Sequence, residues 1–360
     1  MLYYQGTNPA REFELREDVS TGVAHLELGN ALAKWLRRLS SQGQLPGETA
    51  QAHVARLRRE AYRYLPDDLL AVFESLRSGV FAPTALVLSG LPSDPVASAP
   101  APGEGARKFK SSDLSEVLLV TFGALAGEPY SLAGEGTRLV NDLIPTLADR
   151  NRLTGNGSGL RLGMHTENAA HRWLIRDRDL SPHALMLLGI VAPGTGAPRT
   201  LVASGRIAAA RLRPEDRAIL RGPCVRLALP LRQRRGAEVV RTQASPILTG
   251  PEGSEIVTAA FYGDMMEPVD ERSGQALVAF EVELEACAAA LTILPGMLVY
   301  IPNAYTLHSR DSFAPQFDAQ GRAQRWLQRI FLTTRLDTFQ FAGELEQRVF
   351  ELPELVPQSA

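Results

Sequence analysis

The chain has 360 residues, of which 45% are hydrophobic and 22% are charged, a balance typical of a globular protein with a large core. The formal net charge of −2 provides no basic surface for nucleic acid or for an anionic membrane. No apolar run approaches the ~20 residues of a membrane-spanning helix, so a membrane protein is not expected.

The N-terminus and the cysteines predict a cytoplasmic protein. Residues 1–5 lack the basic and then apolar pattern of a secretory signal peptide. The two cysteines, Cys224 and Cys287, belong to no CxxC motif and suggest no disulfide framework. We therefore expect a reducing compartment.

Residues 1–80 are predicted to form a helical scaffold packed on the core. Leu26, Leu32 and Leu36 recur at near-helical spacing, with basic residues between them, and indicate an amphipathic helix. Helices are predicted at residues 23–40, 49–64 and 67–76.

Residues 81–340 alternate helical segments with many short apolar runs bounded by turn signals. This pattern predicts a mainly β (α+β) fold, with a β-barrel or jelly-roll core under a helical cover. Residues 93–110 are rich in Pro, Ala, Gly and Ser and predict a surface loop, with a mobile lid as the alternative. Residues 341–360 are predicted to be a peripheral tail. Strands are expected at 84–89, 138–145, 158–164, 183–191, 200–204, 239–249, 256–261, 297–302 and 325–335, and helices at 114–126, 206–220 and 277–291.

His165, Glu167 and His308 form a candidate metal site. Residues i and i+2 of a strand point to the same face, so His165 and Glu167 can bind one ion while Thr166 points away. His308 follows the apolar run 297–302 and would come from another strand of the same barrel. Two imidazoles and one carboxylate suit Fe(II) and leave coordination sites open, although the same ligands would accept zinc.

Four stretches occur in a fixed order: His-Thr-Glu-Asn-Ala-Ala-His at 165–171, Thr-Leu-Val-Ala-Ser at 200–204, His-Ser-Arg-Asp-Ser-Phe at 308–313 and Arg-Trp-Leu-Gln-Arg at 325–329. Their order resembles the clavaminate synthase-like family of Fe(II)/2-oxoglutarate oxygenases, which includes arginine and asparagine β-hydroxylases. The resemblance implies a double-stranded β-helix (jelly-roll) core and the cofactors Fe(II), 2-oxoglutarate and O2. It also implies a role in specialised, natural-product metabolism.

The resemblance further implies residues that bind 2-oxoglutarate. Its far carboxylate requires a cation that donates two hydrogen bonds, and arginine is suited to that geometry. In the family this arginine precedes a tryptophan, which selects Arg325 before Trp326. Spacing from His308 would select Arg322 instead, because the connection here is a few residues longer than usual. Thr200 matches the family threonine that helps bind the same carboxylate.

For the primary substrate, the resemblance implies that Arg329 pairs with the α-carboxylate of an amino acid and that Asp264 binds its side chain. Leu153 and Gly155 fall where the family contacts the amino-acid end, with Gly155 in the place of a serine. His171 recurs at a family position without an assigned role. Because a carboxylate attracts cations, arginine-type side chains rank first, other amine or amide side chains second, and an amino acid tethered to a carrier protein third.

Several functions remain open on these residues. The favoured one is hydroxylation of an unactivated carbon of an L-amino acid, with decarboxylation of 2-oxoglutarate to succinate and CO2. Desaturation or ring closure would use the same cofactors. A zinc hydrolase would have no use for Arg325, and a non-catalytic barrel that binds a small acid or a metal would not turn over 2-oxoglutarate.

Overall fold

The computed structural model describes residues 12–39, 41, 43–101, 109–175, 177–230, 233–234 and 239–352. The strands are β1 (Phe13–Asp18), β2 (Val23–Leu28), β3 (Ala85–Ser89), β4 (Glu128–Leu132), β5 (Asn141–Leu143), β6 (Leu162–His165), β7 (Ala184–Val191), β8 (Thr200–Ser204), β9 (Val225–Leu227), β10 (Leu248–Thr249), β11 (Ile256–Val257), β12 (Met266–Pro268), β13 (Ala289–Leu291), β14 (Leu298–Ile301), β15 (Thr306–Arg310), β16 (Trp326–Thr333) and β17 (Val349–Phe350). The helices are α1 (Asn30–Leu39), α2 (Ala50–Tyr64), α3 (Asp67–Arg77), α4 (Leu114–Ala126), α5 (Gly205–Arg211), α6 (Pro214–Leu220) and α7 (Glu271–Ala286). Among these described helices, none is both long enough and apolar enough to cross a membrane.

A nine-stranded mixed sheet forms one half of the fold. Its order is β1-β2-β3-β14-β7-β16-β4-β17, and β5 also pairs with β16. Every residue of β7 and β16 is buried. Helices α1 to α4 pack on one face of this sheet, and α4 is buried at every residue except Glu116. An apolar helix of this kind must lie inside the protein, because it has no polar face to present to water.

A four-stranded antiparallel sheet, of order β13-β8-β15-β6, forms the other half. Helices α5 to α7 contribute to the apolar cluster that covers one side of it. A further cluster joins the two sheets and includes Leu187, Val202 and Phe331. The fold is therefore a mixed, sheet-rich structure in which two sheets share a core and helices cover their outer faces.

The N-terminal part differs from the prediction at residues 23–28. These residues form β2, which pairs with β1 and β3, and helix α1 begins only at Asn30. In β2 the buried Leu26 and Leu28 alternate with the exposed His25. The alternating apolar pattern of β2 is followed directly by the helical spacing of apolar residues in α1. A sequence window that covers both elements therefore does not show where one ends and the other begins.

Several later elements also have other bounds than predicted. The strand expected at 158–164, for example, is β6 (Leu162–His165), and the strand expected at 256–261 is β11 (Ile256–Val257). The helix expected at residues 277–291 begins at Glu271, where the Asp270 side chain caps it by accepting a hydrogen bond from Ser273 N at 2.7 Å. It ends at Ala286, and β13 then joins the smaller sheet. The strand expected at residues 239–249 is regular only in β10.

The loop predicted at residues 93–110 is anchored at both described ends rather than lying wholly on the surface. Ala99 N donates to Ala323 O at 2.8 Å. The Lys110 side chain is fully buried and pairs with Glu116 of α4. Residues 102–108 lie outside the described part of the chain, so the lid alternative stays a prediction.

The chain after Phe341 is not peripheral, which corrects the prediction for residues 341–352. Strand β17 adds to the large sheet beside β4. The Phe350 ring is fully buried, 6.3 Å from the Tyr130 ring and 4.8 Å from the Phe339 ring between centroids. The buried Phe350 ring thus packs the chain after Phe341 against the core. Residues 353–360 lie outside the described part of the chain.

Replacing Phe350 with Ala is expected to lower the free energy of unfolding by about 3–5 kcal/mol, because truncating a buried ring leaves a cavity. Phe341 is 40% exposed, so Phe341→Ala, the matched control, should cost about 1 kcal/mol or less. Chemical denaturation of both variants, followed by tryptophan fluorescence, measures the difference. Equal and small losses would show that β17 contributes nothing to the core.

Candidate metal centre and cosubstrate site

The two candidate histidine ligands face each other across neighbouring strands. In the pairing of β15 with β6, His308 lies directly opposite His165. Directly opposed residues of an antiparallel pair place their side chains on the same face of the sheet. The two imidazole centroids are accordingly 4.2 Å apart. The strand register alone brings the two rings together.

Glu167 approaches the histidines from the turn that follows β6. Asn303 holds this turn at two points, because Glu167 N donates to Asn303 Oδ1 at 2.6 Å and Asn303 Nδ2 donates to Glu167 O at 3.2 Å. Glu167 Oε2 lies 3.9 Å from His308 Nε2. The potential ligand atoms of His165, Glu167 and His308 all lie within 4.8 Å of one another, and all three residues are buried.

The protonation of the two rings suits metal binding. His165 Nδ1 donates to Gly163 O at 2.8 Å, which leaves Nε2 as the nitrogen with the lone pair. Burial, and then the neighbouring His165, lower the pKa of His308 to about 3, so its imidazole is neutral, as a metal ligand must be. Two imidazoles and a carboxylate on one face match the ligand set of non-haem Fe(II) centres.

Residues 259–262 lie along the other edge of β6. Phe261 N donates to Met164 O at 2.7 Å, and the Tyr262 ring meets His165 edge-on with centroids 5.1 Å apart. Gly163 permits this close approach, because a Cβ at that position would overlap Phe261 O. Sequence reasoning missed the role of Gly163, although a glycine inside a strand is a usual sign of close backbone approach.

Arg325 lies directly before β16 with a buried side chain. Among the described residues, no carboxylate pairs with it. Burial, and then the neighbouring Arg310, lower the pKa of Arg325 to about 9. Thr200 lies opposite Arg310 in the pairing of β8 with β15, on the sheet face that also carries His308. Within the described ranges neither Arg325 nor Arg310 has a carboxylate partner, and such buried guanidinium groups beside a buried hydroxyl form a fitting site for a carboxylate ligand.

Trp326 fixes the strand that carries Arg325. Its Nε1 donates to Asp142 Oδ1 at 2.9 Å, and its ring is fully buried in the cluster beneath helices α1 to α4. Leu327 belongs to the cluster between the sheets instead. Because successive side chains of a strand alternate, Arg325 and Arg329 share the inner face with Leu327.

Arg322 has partners in its own loop. Its backbone N and its Nε donate to the Asp318 carboxylate at 2.9 and 2.8 Å. Its guanidinium lies over the Phe109 ring, 5.4 Å from the centroid. These contacts favour Arg325 over Arg322 as the ligand of the cosubstrate carboxylate.

Arg329 is enclosed by two carboxylates. Its Nη1 donates to Glu167 Oε2 at 3.1 Å and its Nη2 donates to Glu135 Oε2 at 2.5 Å. All three side chains are almost fully buried. Sequence reasoning missed Glu135, which lies in a short 3-10 turn after β4 and belongs to no motif that could have revealed it.

The other predicted substrate residues lie on two loops that meet beside β6. Leu153 Cδ1 is 3.0 Å from the point that a Cβ of Gly263 would occupy, so the two loops are in contact. Gly155 lies against Leu143 of β5. Asp264 pairs with Arg234, and this ion pair is the main cause that lowers the pKa of the Asp264 carboxyl.

Comparison with known families identifies the group. Residues 116–331 match the family described as taurine catabolism dioxygenase TauD, TfdA family. The chain belongs to the TauD/TfdA family. Like the other members of this family, it is a dioxygenase that depends on Fe(II) and 2-oxoglutarate.

Several relatives cover most of the chain. The L-asparagine oxygenase of Streptomyces coelicolor is 28% identical over 340 residues, which are 89% of this chain and 91% of the relative. The L-ornithine/L-arginine 3-hydroxylase of Catenulispora acidiphila is 24% identical over 297 residues, which are 77% and 84% of the two chains.

Solved structures share the fold of this TauD/TfdA member. An asparagine oxygenase in complex with Fe(II), 2S,3S-3-hydroxyasparagine and succinate has a TM-score of 0.78 at 24% identity, covering 91% of this chain and 99% of that chain. The non-haem iron oxygenase OrfP, in complex with Fe and alpha-ketoglutaric acid, has a TM-score of 0.74 at 22% identity, with the same coverage.

Replacing His165 or His308 with Ala is expected to abolish Fe(II) binding, because one imidazole and one carboxylate cannot define a three-ligand face. The matched control is His25→Ala on the exposed side of β2, which should retain the wild-type iron content. Metal analysis after anaerobic loading and desalting measures both. Full iron content in either ligand variant would eliminate this site. Glu167→Ala should give an intermediate iron content, because chloride could occupy the coordination position that the carboxylate vacates.

Replacing Arg325 with Gln should weaken 2-oxoglutarate binding by about ten- to a hundredfold, since a charged hydrogen bond contributes roughly 1.5–3 kcal/mol. Arg322→Gln is the control and should leave the affinity close to that of the wild type. Titration of the iron-loaded protein with 2-oxoglutarate under anaerobic conditions gives the dissociation constants. The reverse result would assign the carboxylate to Arg322.

Proposed function

We propose that this chain hydroxylates an unactivated carbon of a free L-amino acid, with 2-oxoglutarate and O2 as cosubstrates and succinate and CO2 as coproducts. One observation carries the proposal: the buried His165–Glu167–His308 cluster lies beside Arg329, whose guanidinium faces two carboxylates on the inner side of β16. Relatives named for the oxidation of asparagine, ornithine and arginine support it.

We interpret the two facing sheets as a double-stranded β-helix, or jelly roll, that forms the oxygenase core over residues 81–340. The described part of residues 1–80, which begins at residue 12, acts as its scaffold, since β2 extends the large sheet and α1 to α3 cover it. Both cysteines are free and buried. This state, together with an oxidation-sensitive iron site, supports a cytoplasmic location. The family resemblance supports a role in specialised metabolism.

The two histidines and Glu167 would hold the iron, which supplies the open coordination positions at which O2 and 2-oxoglutarate react. Arg325 and Thr200 would bind the far carboxylate of 2-oxoglutarate. Because the Arg325 guanidinium is buried, a carboxylate beside it would be poorly screened by water, and the charged hydrogen bond is correspondingly strong.

Arg329 and Glu135 are complementary to the two charged groups of an amino-acid backbone. We assign the α-carboxylate to Arg329 Nη1, because Glu167, its present partner, has the metal as an alternative partner. Glu135 is a buried acceptor next to the same guanidinium, and we assign the α-ammonium group to it. The loop with Leu153 and Gly155 would then contact the amino-acid end from the side.

A carrier-tethered substrate is disfavoured, because tethering would mask the α-carboxylate, and Arg329 Nη1 would then lack an anionic partner once Glu167 binds the metal. Desaturation and ring closure need the same binding groups and the same cofactors. They differ from hydroxylation only in the fate of the substrate carbon, so product analysis separates the three outcomes.

The test is succinate release by the purified protein with Fe(II), ascorbate and 2-oxoglutarate across the common L-amino acids. Arg329→Ala should lower kcat/KM for the preferred amino acid at least about 100-fold, because charged hydrogen bonds to the α-carboxylate are lost. Arg335, whose side chain is 74% exposed, provides the control Arg335→Ala, which should be neutral. Absence of amino-acid-dependent succinate from the wild-type enzyme would refute the proposal.

A further inference from the structure

We propose that Arg234 is a specificity-determining residue that makes Asp264 unavailable to cationic side chains. The inference rests on the proposed function and on the sequence prediction that Asp264 contacts the substrate side chain. Arg234 Nη1 and Nη2 donate to the two oxygens of this carboxylate at 2.7 and 2.8 Å. This bidentate geometry is the one in which an arginine substrate would itself be bound.

The Arg234 guanidinium is held in one orientation. Its side chain is only 9% exposed, and its Nε donates to Leu229 O at 2.8 Å, so all three of its nitrogens have partners. A surface ion pair with two mobile side chains would contribute little, but this cation is buried and fixed. The Asp264 side chain is 47% exposed, so a ligand can still reach the pair from the Asp264 side.

The residue before Arg234 is anchored on another segment of the metal site. His171 Nε2 donates to Gln233 Oε1 at 2.6 Å. His171 is fully buried in the 3-10 turn that follows Glu167. The Gln233–Arg234 pair therefore connects the turn after one metal ligand with the turn after Tyr262. This contact gives His171 a positioning role and ties the segment that carries Arg234 to the turn that follows Glu167.

Together, Arg234 and Asp264 carry no net charge and offer a hydrogen-bond donor and an acceptor, which suits a neutral amide group. A cationic side chain would meet a compensated carboxylate and the like charge of Arg234, which is an unfavourable juxtaposition. An acidic side chain would be repelled by Asp264. A side-chain amide can donate its NH2 group to Asp264 and accept from Arg234, so it satisfies both. The substrate class is therefore an amino acid with a side-chain amide. Under this inference, amide side chains rank above the arginine-type side chains that the sequence prediction put first.

The experiment compares L-asparagine and L-glutamine with L-arginine and L-lysine, for the wild type and for Arg234→Gln. The readouts are kcat/KM for succinate release and equilibrium binding by calorimetry without O2. The wild type should prefer amides, and Arg234→Gln should shift the ratio towards cationic side chains by about ten- to a hundredfold. Arg234→Lys keeps the positive charge and should keep the wild-type preference.

The matched control is Arg213→Gln. Arg213 Nε and Nη2 also donate to an aspartate, Asp216, at 2.8 and 3.2 Å, but this pair lies at the start of α6. The variant should leave the ratio unchanged. If the wild type prefers cationic amino acids, or if Arg234→Gln leaves the ratio as it was, the inference is wrong while the proposed function stands. If no amino acid is bound or turned over, both are wrong.

If Arg234→Gln does not fold, a second variant tests the inference instead. Asp264→Asn leaves Arg234 as an uncompensated cation beside the substrate. Acidic side chains should then gain over basic ones by about ten- to a hundredfold in the same assays. An unchanged ratio of acidic to basic substrates in this variant would overturn the inference.

Discussion

The candidate site depends on the register between β6 and β15. His165 and His308 meet because they are directly opposed in that pairing. A slip by one residue would turn one histidine to the opposite face of the sheet. Side chains that bracket the pairing oppose such a slip: Asn303 holds the backbone of Glu167 at one end, and the Arg310 guanidinium donates to Leu160 O at the other.

Buried charge is the second constraint, and it explains how a binding site is prepared before any ligand arrives. Arg325 is buried with no carboxylate partner among the described residues, which is unfavourable unless an anion enters. Arg329 is compensated by Glu167 and Glu135 instead. In the absence of a ligand the chain thus compensates Arg329 and leaves Arg325 without a carboxylate partner among the described residues. Under the proposed function, this difference separates the cosubstrate position at Arg325 from the amino-acid position at Arg329.

Internal partners also set the polarity of the loops beside the metal cluster. Gln233 and Arg234 satisfy a buried histidine and a half-exposed aspartate on two different turns. An aspartate viewed alone suggests a cation site, but an aspartate with a fixed arginine suggests a neutral, polar one. The charge that a binding pocket presents to a ligand thus depends on both partners of an ion pair.

The sequence by itself predicted the local features: the spacing of His165 and Glu167 indicated that they lie close together, although Glu167 follows β6 instead of belonging to it. The family resemblance at Trp326 pointed to the arginine before it. Strand β8 and helix α4 have the bounds that were predicted. The tertiary structure alone decided that Glu135 lies beside Arg329 and that Arg234 pairs with Asp264. These contacts join segments that are distant in the chain, and a charged residue in a loop carries no local signal of the partner that folding brings to it.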